Sequence, residues 1–337
     1  MRNLFYDYFE TEEVVTLLQQ LIRIPSHRFT KNREAAVGDF IFDYCSSLGF
    51  DCQKIRVDGN RCNILVTLRG TGKGPTLLLN GHIDTVPPYD MLIEPFKGFV
   101  KDGAVWGRGA NDMKGALASM IVAMTAIDRS GIKLKGDVLL SAVVGEECES
   151  DGTEAFILSG GTADGAVVGE PSDYGYSIGH RGLETMEIKV SGTTMHSGQA
   201  LKGINAIQKA AKLISRIDGE LLPRILTRTN EYMGPALMNY GKIEGGDQVC
   251  TVAGECTIQF DRRYVAGESI ESVIAEYQQI IDDLQKEDPD FHAQLSRMPN
   301  SRMKQLSHAP LMTAPDAPIV QCVEEALETY LGKRPLM

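Results

Sequence analysis

Four segments in the first half of the chain each deliver a histidine or an acid at or just beyond a short apolar or glycine-rich run. This pattern constrains the fold more than any other feature. Leu77-Leu78-Leu79 leads into Asn80-Gly81-His82-Ile83-Asp84. Trp106-Gly107-Arg108-Gly109-Ala110-Asn111-Asp112-Met113-Lys114-Gly115 is a glycine-rich loop that opens a helical stretch. Val143-Val144 leads into Gly145-Glu146-Glu147-Cys148, and Val167-Val168 into Gly169-Glu170-Pro171. In open α/β sheets ligands gather at the carboxyl edge of the strands. Such a pattern therefore asks for strands alternating with helices.

The periodicity agrees. Val14, Leu17, Leu18, Leu21 and Ile22 have helical spacing within 7–24, and that stretch stops before Pro25. A second helical stretch, 32–48, ends at Gly49. Strands are predicted at 51–57, 63–68, 76–79, 138–144 and 166–168, and helices at 113–129 and 153–158. This is an α/β sandwich with a mixed or parallel sheet. Near residue 180 the character changes. Met186, Ile188 and Val190 alternate with Thr185, Glu187 and Lys189, the mark of a half-exposed antiparallel strand. A helix at 203–217, strands at 236–243 and 254–262, a helix at 269–285 and a strand at 291–295 complete a compact α+β unit. The helix at 317–331 belongs with the first part. For 337 residues, a prior of about 150 per domain agrees with two domains. The expected division is 1–182 plus 297–337 for the larger and 183–296 for an inserted one.

Composition excludes several functions. Lys and Arg number 34 against 45 Asp and Glu, a net charge of −11, which gives no electrostatic footprint for nucleic acid. No apolar run approaches the ~20 residues of a membrane span. The N-terminus has no basic region followed by an apolar one, so no signal peptide is expected. The cysteine count is odd, seven, with no CxxC pair, which argues against a disulfide framework or a zinc finger. The expected compartment is the cytoplasm.

Residues two apart on an extended chain face the same way. Asp84 can therefore hold the His82 ring while the ring binds a metal; a strand-end histidine beside a capping aspartate is the plain alternative. Asp112 is either a helix N-cap or a carboxylate that reaches or bridges metal ions. Glu146 and Glu147 are costly side by side at the end of an apolar strand without a cation. One can ligate while the other acts as a base; an exposed acidic loop is the alternative. His, Asp, Glu and Glu together form a mixed N/O set suited to Zn2+ or a similar divalent ion.

GHIDTVP, GRGANDMKG, GEECESDGT and VVGEPSD resemble, in order and spacing, the motifs of the co-catalytic zinc peptidase family of acetylornithine deacetylase, succinyl-diaminopimelate desuccinylase, aminoacylase and carboxypeptidase G. The separations agree: 34 residues from Asp112 to Glu146 and 23 from Glu147 to Glu170. The resemblance covers essentially the whole chain. It implies a three-layer α/β/α catalytic domain with an inserted four-stranded, two-helix lid and dimerisation domain, hinged near 179–182 and 298–303. It implies two divalent ions, Zn2+ first, with Co2+ or Mn2+ as alternatives. His82 and Glu170 would bind one, Glu147 the other, and Asp112 both. Asp84 would orient His82. Glu146 would be the general base, taking a proton from a metal-bridging water and passing it to the leaving nitrogen.

His196, in Gly192-Thr193-Thr194-Met195-His196-Ser197-Gly198, matches the family turn whose histidine reaches across a homodimer to help hold the oxyanion. Arg263, in Phe260-Asp261-Arg262-Arg263, matches the strand arginine that binds a substrate carboxylate. The implied reaction is hydrolysis of the amide bond of a small N-acyl amino acid or dipeptide.

Two departures stand out. Cys250 occupies the place of an asparagine in many relatives. The sequence also ends at Met337, where relatives continue with the final histidine ligand of the second metal and a glycine-rich substrate loop. The second site is therefore expected to be incomplete, because His27, His180, His292 and His308 lie in no motif that replaces that ligand. The alternative function is a truncated, non-catalytic homologue that binds one metal or a ligand as a regulatory or partner subunit. A nucleotide-binding enzyme using the 107–115 loop is a third reading. That loop has neither GxxxxGK[ST] nor the dinucleotide glycine spacing.

Overall fold

The computed structural model of the protein describes residues 5–298 and 303–337. It divides into two units, one running up to Tyr176 and resuming at Gln321, the other spanning Ser177–Val320.

The first unit contains, in chain order, α1 (Thr11–Ile22), α2 (Ala35–Ser47), β1 (Asp51–Asp58), β2 (Arg61–Leu68), β3 (Leu77–His82), the hairpin β4 (Phe99–Lys101) and β5 (Ala104–Trp106), α3 (Gly115–Arg129), β6 (Val138–Val143), α4 (Asp151–Leu158) and β7 (Gly165–Val168). The first helix starts later than its apolar spacing predicts. A capping box between Glu10 and Glu13 satisfies the free N–H groups there and sets the start at Thr11. The second starts at Ala35, after Arg33 takes a left-handed φ of 47° that a helix cannot continue. On α1, Leu17, Leu18, Leu21 and Ile22 are buried, one stripe at helical spacing. Helix α3 packs on α1 and on β3 and β6, and α2 packs on β1 and β2.

The five-stranded sheet has the order β1-β2-β6-β3-β7. β1, β2 and β6 run antiparallel, whereas β6, β3 and β7 are parallel. The register places the site. His82 pairs with Val143 across β3 and β6, and the Gly169 N–H donates to the Asn80 carbonyl. The three parallel strands thus end level, and the segments carrying His82, Glu146 and Glu170 leave from one edge.

The second unit contains β8 (Gly179–His180), β9 (Gly182–Ser191), α5 (Ala206–Arg216), α6 (Leu222–Leu226), β10 (Thr229–Asn230), β11 (Gly234–Pro235), β12 (Leu237–Gly245), β13 (Glu255–Tyr264), α7 (Ile270–Glu287), β14 (His292–Arg297) and β15 (Leu311–Met312). Helix α8 (Pro318–Leu331) spans the boundary between the two ranges. The main sheet is antiparallel, in the order β12-β13-β9-β14. Met186, Ile188 and Val190 of β9 are buried in one core with Leu213 of α5 and Tyr277 and Ile281 of α7. The β4/β5, β8/β15 and β10/β11 pairs were not predicted. Strands of two or three residues are too short to show a period. The expected hinge segment 298–303 lies mostly outside the described residues.

Candidate metal centre

His82 stands at the end of β3, and its ring is buried. Nε2 lies 3.0 Å from Asp112 Oδ1 and 3.4 Å from Glu170 Oε1. On the other side, Nδ1 lies 3.1 Å from the Asp84 carbonyl oxygen and 3.5 Å from Asp84 Oδ1. Burial opposes charge on the ring, but the bonds to Asp112, Asp84 and Glu170 prevail and push its pKa up to about 12. The same bond to His82, opposed by partial burial and helped by the charge of Arg108, holds Asp112 below the usual carboxylate range.

The Asp112 carboxylate is delivered by irregular backbone. Gly109 has a left-handed φ of 82°, and a Cβ there would stand 2.8 Å from Thr85 Cγ2. Asp112 (φ −121°, ψ 99°) and Met113 (φ −133°, ψ 30°) are non-helical, and the peptide between them is cis. Lys114, not Asp112, is the N-cap of α3, so the capping reading of Asp112 does not describe this chain. Met113 is buried, and its Sδ accepts the His82 N–H at 3.3 Å.

The turn after β6 carries Glu146 and Glu147. The buried Asp84 carboxylate accepts the N–H of Glu146 at 3.1 Å and of Glu147 at 2.9 Å. Asp84 therefore touches His82 and also fixes the acidic turn some sixty residues away, a second task its position in the sequence does not signal. Glu147 Oε1 accepts the Val86 N–H at 3.3 Å. Burial, followed by the negative charge of Asp112, raises the Glu147 pKa. From behind, Asn63 of β2 braces the same turn. It accepts the Val144 N–H at 3.1 Å and donates to the Gly152 carbonyl at 2.7 Å. Arg61 of β2 bonds Glu34 and Asp151. No motif marks Asn63 or Arg61 in the sequence.

The structure thus brings His82, Asp84, Asp112, Glu146, Glu147 and Glu170 to one edge. One ligand atom each from His82, Asp112 and Glu170 falls within 4.8 Å of the others, a group that suits a metal ion. Donors about 2.0–2.2 Å from a zinc ion in tetrahedral array stand roughly 3.3–3.6 Å apart, close to the separations from Nε2 quoted above. Here the charged His82 ring itself lies between the two half-exposed carboxylates, and a divalent ion bound to the deprotonated ring would take the place of its proton. The donor set therefore fits a divalent ion. Glu147 lies in the field of Asp112 but outside this group.

His196 and Arg263 belong to the second unit. His196 is exposed, and its Nδ1 accepts the Gly198 N–H at 3.1 Å. In the neutral ring the proton then sits on Nε2, a donor facing away from the turn. Arg263 is 44% exposed, with Nε donating to Asp261 at 2.9 Å. Its neighbour Arg262 points to the other face of β13, where it is buried and paired with Glu268 at 2.6 Å. Strand alternation therefore leaves Arg263 as the member of the pair open to a ligand. Cys250 is exposed, and its carbonyl accepts the Ser197 N–H beside His196.

A mixed sheet that converges a histidine and several acids at its carboxyl edge, joined to a small antiparallel unit, describes a metallohydrolase. The chain belongs to peptidase family M20/M25/M40, which it matches over residues 78–337. It is 31% identical over 295 residues to the N-formyl-4-amino-5-aminomethyl-2-methylpyrimidine deformylase of Halalkalibacterium halodurans, covering 82% of this chain and 69% of that protein. It is 34% identical over 234 residues to the acetylornithine deacetylase of Pasteurella multocida, covering 67% of this chain and 60% of that one. A tripeptidase from Staphylococcus aureus superposes with a TM-score of 0.77 at 21% identity, over 98% of this chain and 85% of that one. Among the described residues no helix is long and apolar enough to cross a membrane.

Proposed function

We propose that this chain is a metal-dependent hydrolase of the amide bond in a small N-acyl amino acid or dipeptide. The convergence of His82, Asp112 and Glu170 at the strand edge, beside the turn that Asp84 clamps, carries the reading. His82 and Glu170 would hold one divalent ion, Glu147 a second, and Asp112 both. Zn2+ suits the N/O donors, as do Co2+ and Mn2+. Ions bound there supply Lewis acidity toward water and toward the scissile carbonyl.

The chain's own residues do the rest. Asp84 fixes the ring of His82 and the backbone of Glu146. The Glu146 carboxylate accepts a proton from the attacking water and returns it to the leaving nitrogen. Arg263 receives a substrate carboxylate on its free guanidinium edge. His196 Nε2–H helps hold the oxyanion, acting from a partner chain in a homodimer that forms through the second unit. The odd number of cysteines, seven, with no CxxC pair supports a reducing compartment such as the cytoplasm.

The test is elemental mass spectrometry of the purified protein with a hydrolysis screen of N-formyl, N-acetyl and N-succinyl amino acids and dipeptides. The expected result is bound zinc-type metal and turnover of one class, lost on chelation and restored by the ion. Turnover indifferent to chelation, or no turnover with the metal site filled, would sink the proposal.

A further inference from the structure

Lys114 is fully buried, an unusual place for an ammonium. Nζ donates to the carbonyls of Leu21 and Ile24, each at 2.9 Å. Among the described residues it makes no ion pair. Its acceptors lie at and just past the C-terminal end of α1, where carbonyls lose their helical partners. An apolar side chain of similar length fills the space but leaves the Ile24 carbonyl without its donor, while the Leu21 carbonyl keeps the Ile24 N–H at 3.3 Å.

The other end of the residue holds the metal-site loop. The Lys114 N–H donates to the Gly109 carbonyl at 2.9 Å, which closes the loop 109–114. Gly109 leaves room for the lysine stem, since a Cβ there would stand 3.2 Å from Lys114 Cδ. Asp112 lies within this loop. On its C-terminal side Met113 is pinned as well. Its Sδ takes the His82 N–H, and its Cε would lie 2.6 Å from a Cβ at Gly81. The backbone carrying the Asp112 carboxylate has left helical geometry, so it is held by these attachments and not by a ladder of its own.

We infer that Lys114 is a positioning residue for Asp112: seated on the end of α1, its Nζ donors hold the loop so that Asp112 Oδ1 faces His82 Nε2, and its loss weakens cation binding there. The inference rests on reading His82, Asp112 and Glu170 as a cation site.

The experiment titrates Zn2+ into the metal-stripped full chain against a chromophoric chelator. Wild type, Lys114→Met, Lys114→Gln and His82→Ala are compared, with a thermal melt of each. Wild type is expected to bind tighter than His82→Ala. Lys114→Met is expected to keep a cooperative melt and bind about 10–100-fold more weakly, the usual effect of losing an outer support of a metal ligand. Lys114→Gln, which keeps one N–H donor, is expected to fall between. If wild type and His82→Ala bind alike, the cation-site reading itself fails. If His82→Ala loses binding while the folded lysine variants keep wild-type affinity, the site stands and the role of Lys114 is overturned. Failure of both lysine variants to fold also overturns it, because Lys114 then serves the packing of the unit and not the placement of Asp112.

Discussion

Replacing Arg61 with methionine tests how the turn bearing Glu146 and Glu147 is supported. Arg61 is buried on β2, with Nε 2.7 Å from Glu34 Oε2 and Nη1 2.6 Å from Asp151 Oδ2. Glu34 is fully buried. Gly145, at the root of the turn, lies against this network. A Cβ there would stand 2.1 Å from Asp151 Oδ1 and 2.8 Å from Arg61 Nη2. Methionine fills most of the volume, so the loss is chiefly electrostatic. Removing one partner of a buried ion pair costs about 3–5 kcal/mol, because the other charge is left uncompensated. Arg33 remains 3.6 Å from Glu34 and offsets part of this, so the lower end, about 3 kcal/mol, applies. For a unit of this size each kcal/mol moves Tm by about 2–4 °C, so the first unit should melt roughly 6–12 °C lower. The double variant Glu34→Leu/Arg61→Met removes the stranded carboxylate and should melt above Arg61→Met alone. Calorimetry of the metal-stripped proteins measures both. A single variant within about 2 °C of wild type, or a double variant that melts below the single, would refute the reasoning.

Three further outcomes are expected. Glu146→Gln should keep the wild-type metal content while kcat falls by about 10²–10⁴, the span of general acid–base catalysis; wild-type kcat would remove Glu146 as the proton carrier. Arg263→Met should raise KM by roughly tenfold or more, the worth of a charged hydrogen bond, with a smaller effect on kcat; an unchanged KM on every substrate turned over would take substrate recognition away from Arg263. Burial raises the Glu276 pKa, but its bond to Arg228 and the nearby arginine charges outweigh this and leave it below 4.5. Its contribution to stability is therefore present above pH 4.5 and lost as pH falls through the folded-state value. Glu276→Gln should lower the urea midpoint near neutral pH, with the gap from wild type closing in acid. A gap of constant width across that range would contradict the pairing.

Much of this centre is legible in the sequence because its parts are local. An apolar run followed by glycine and an acid needs only its neighbours to become a strand with a carboxylate at its end. Asp84 marks the limit. Its spacing from His82 predicts one contact, whereas its carboxylate also binds two backbone N–H groups of a turn that only sheet pairing brings near. Arg262 and Arg263 are indistinguishable by type. Strand alternation separates their faces, and only the packing shows which face is buried. Lys114 and Arg61 read as ordinary charged residues, since nothing near either names a partner.

The sequence by itself determined the α/β class, the longer helices and strands, the change of architecture near residue 180, and the acids and histidine at the strand ends. These follow from periodicity and chain stiffness, which act over a few residues. Tertiary structure alone decided that β6 and β7 flank β3, and therefore that the turn with Glu146 and Glu147 and the segment with Glu170 leave the sheet beside His82. It also decided that the loop carrying Asp112 is moored to the end of α1 and that the acidic turn is backed by a buried ion network. Strand order and burial are properties of the whole packed chain, set by which surfaces exclude water together, and no local spacing encodes them.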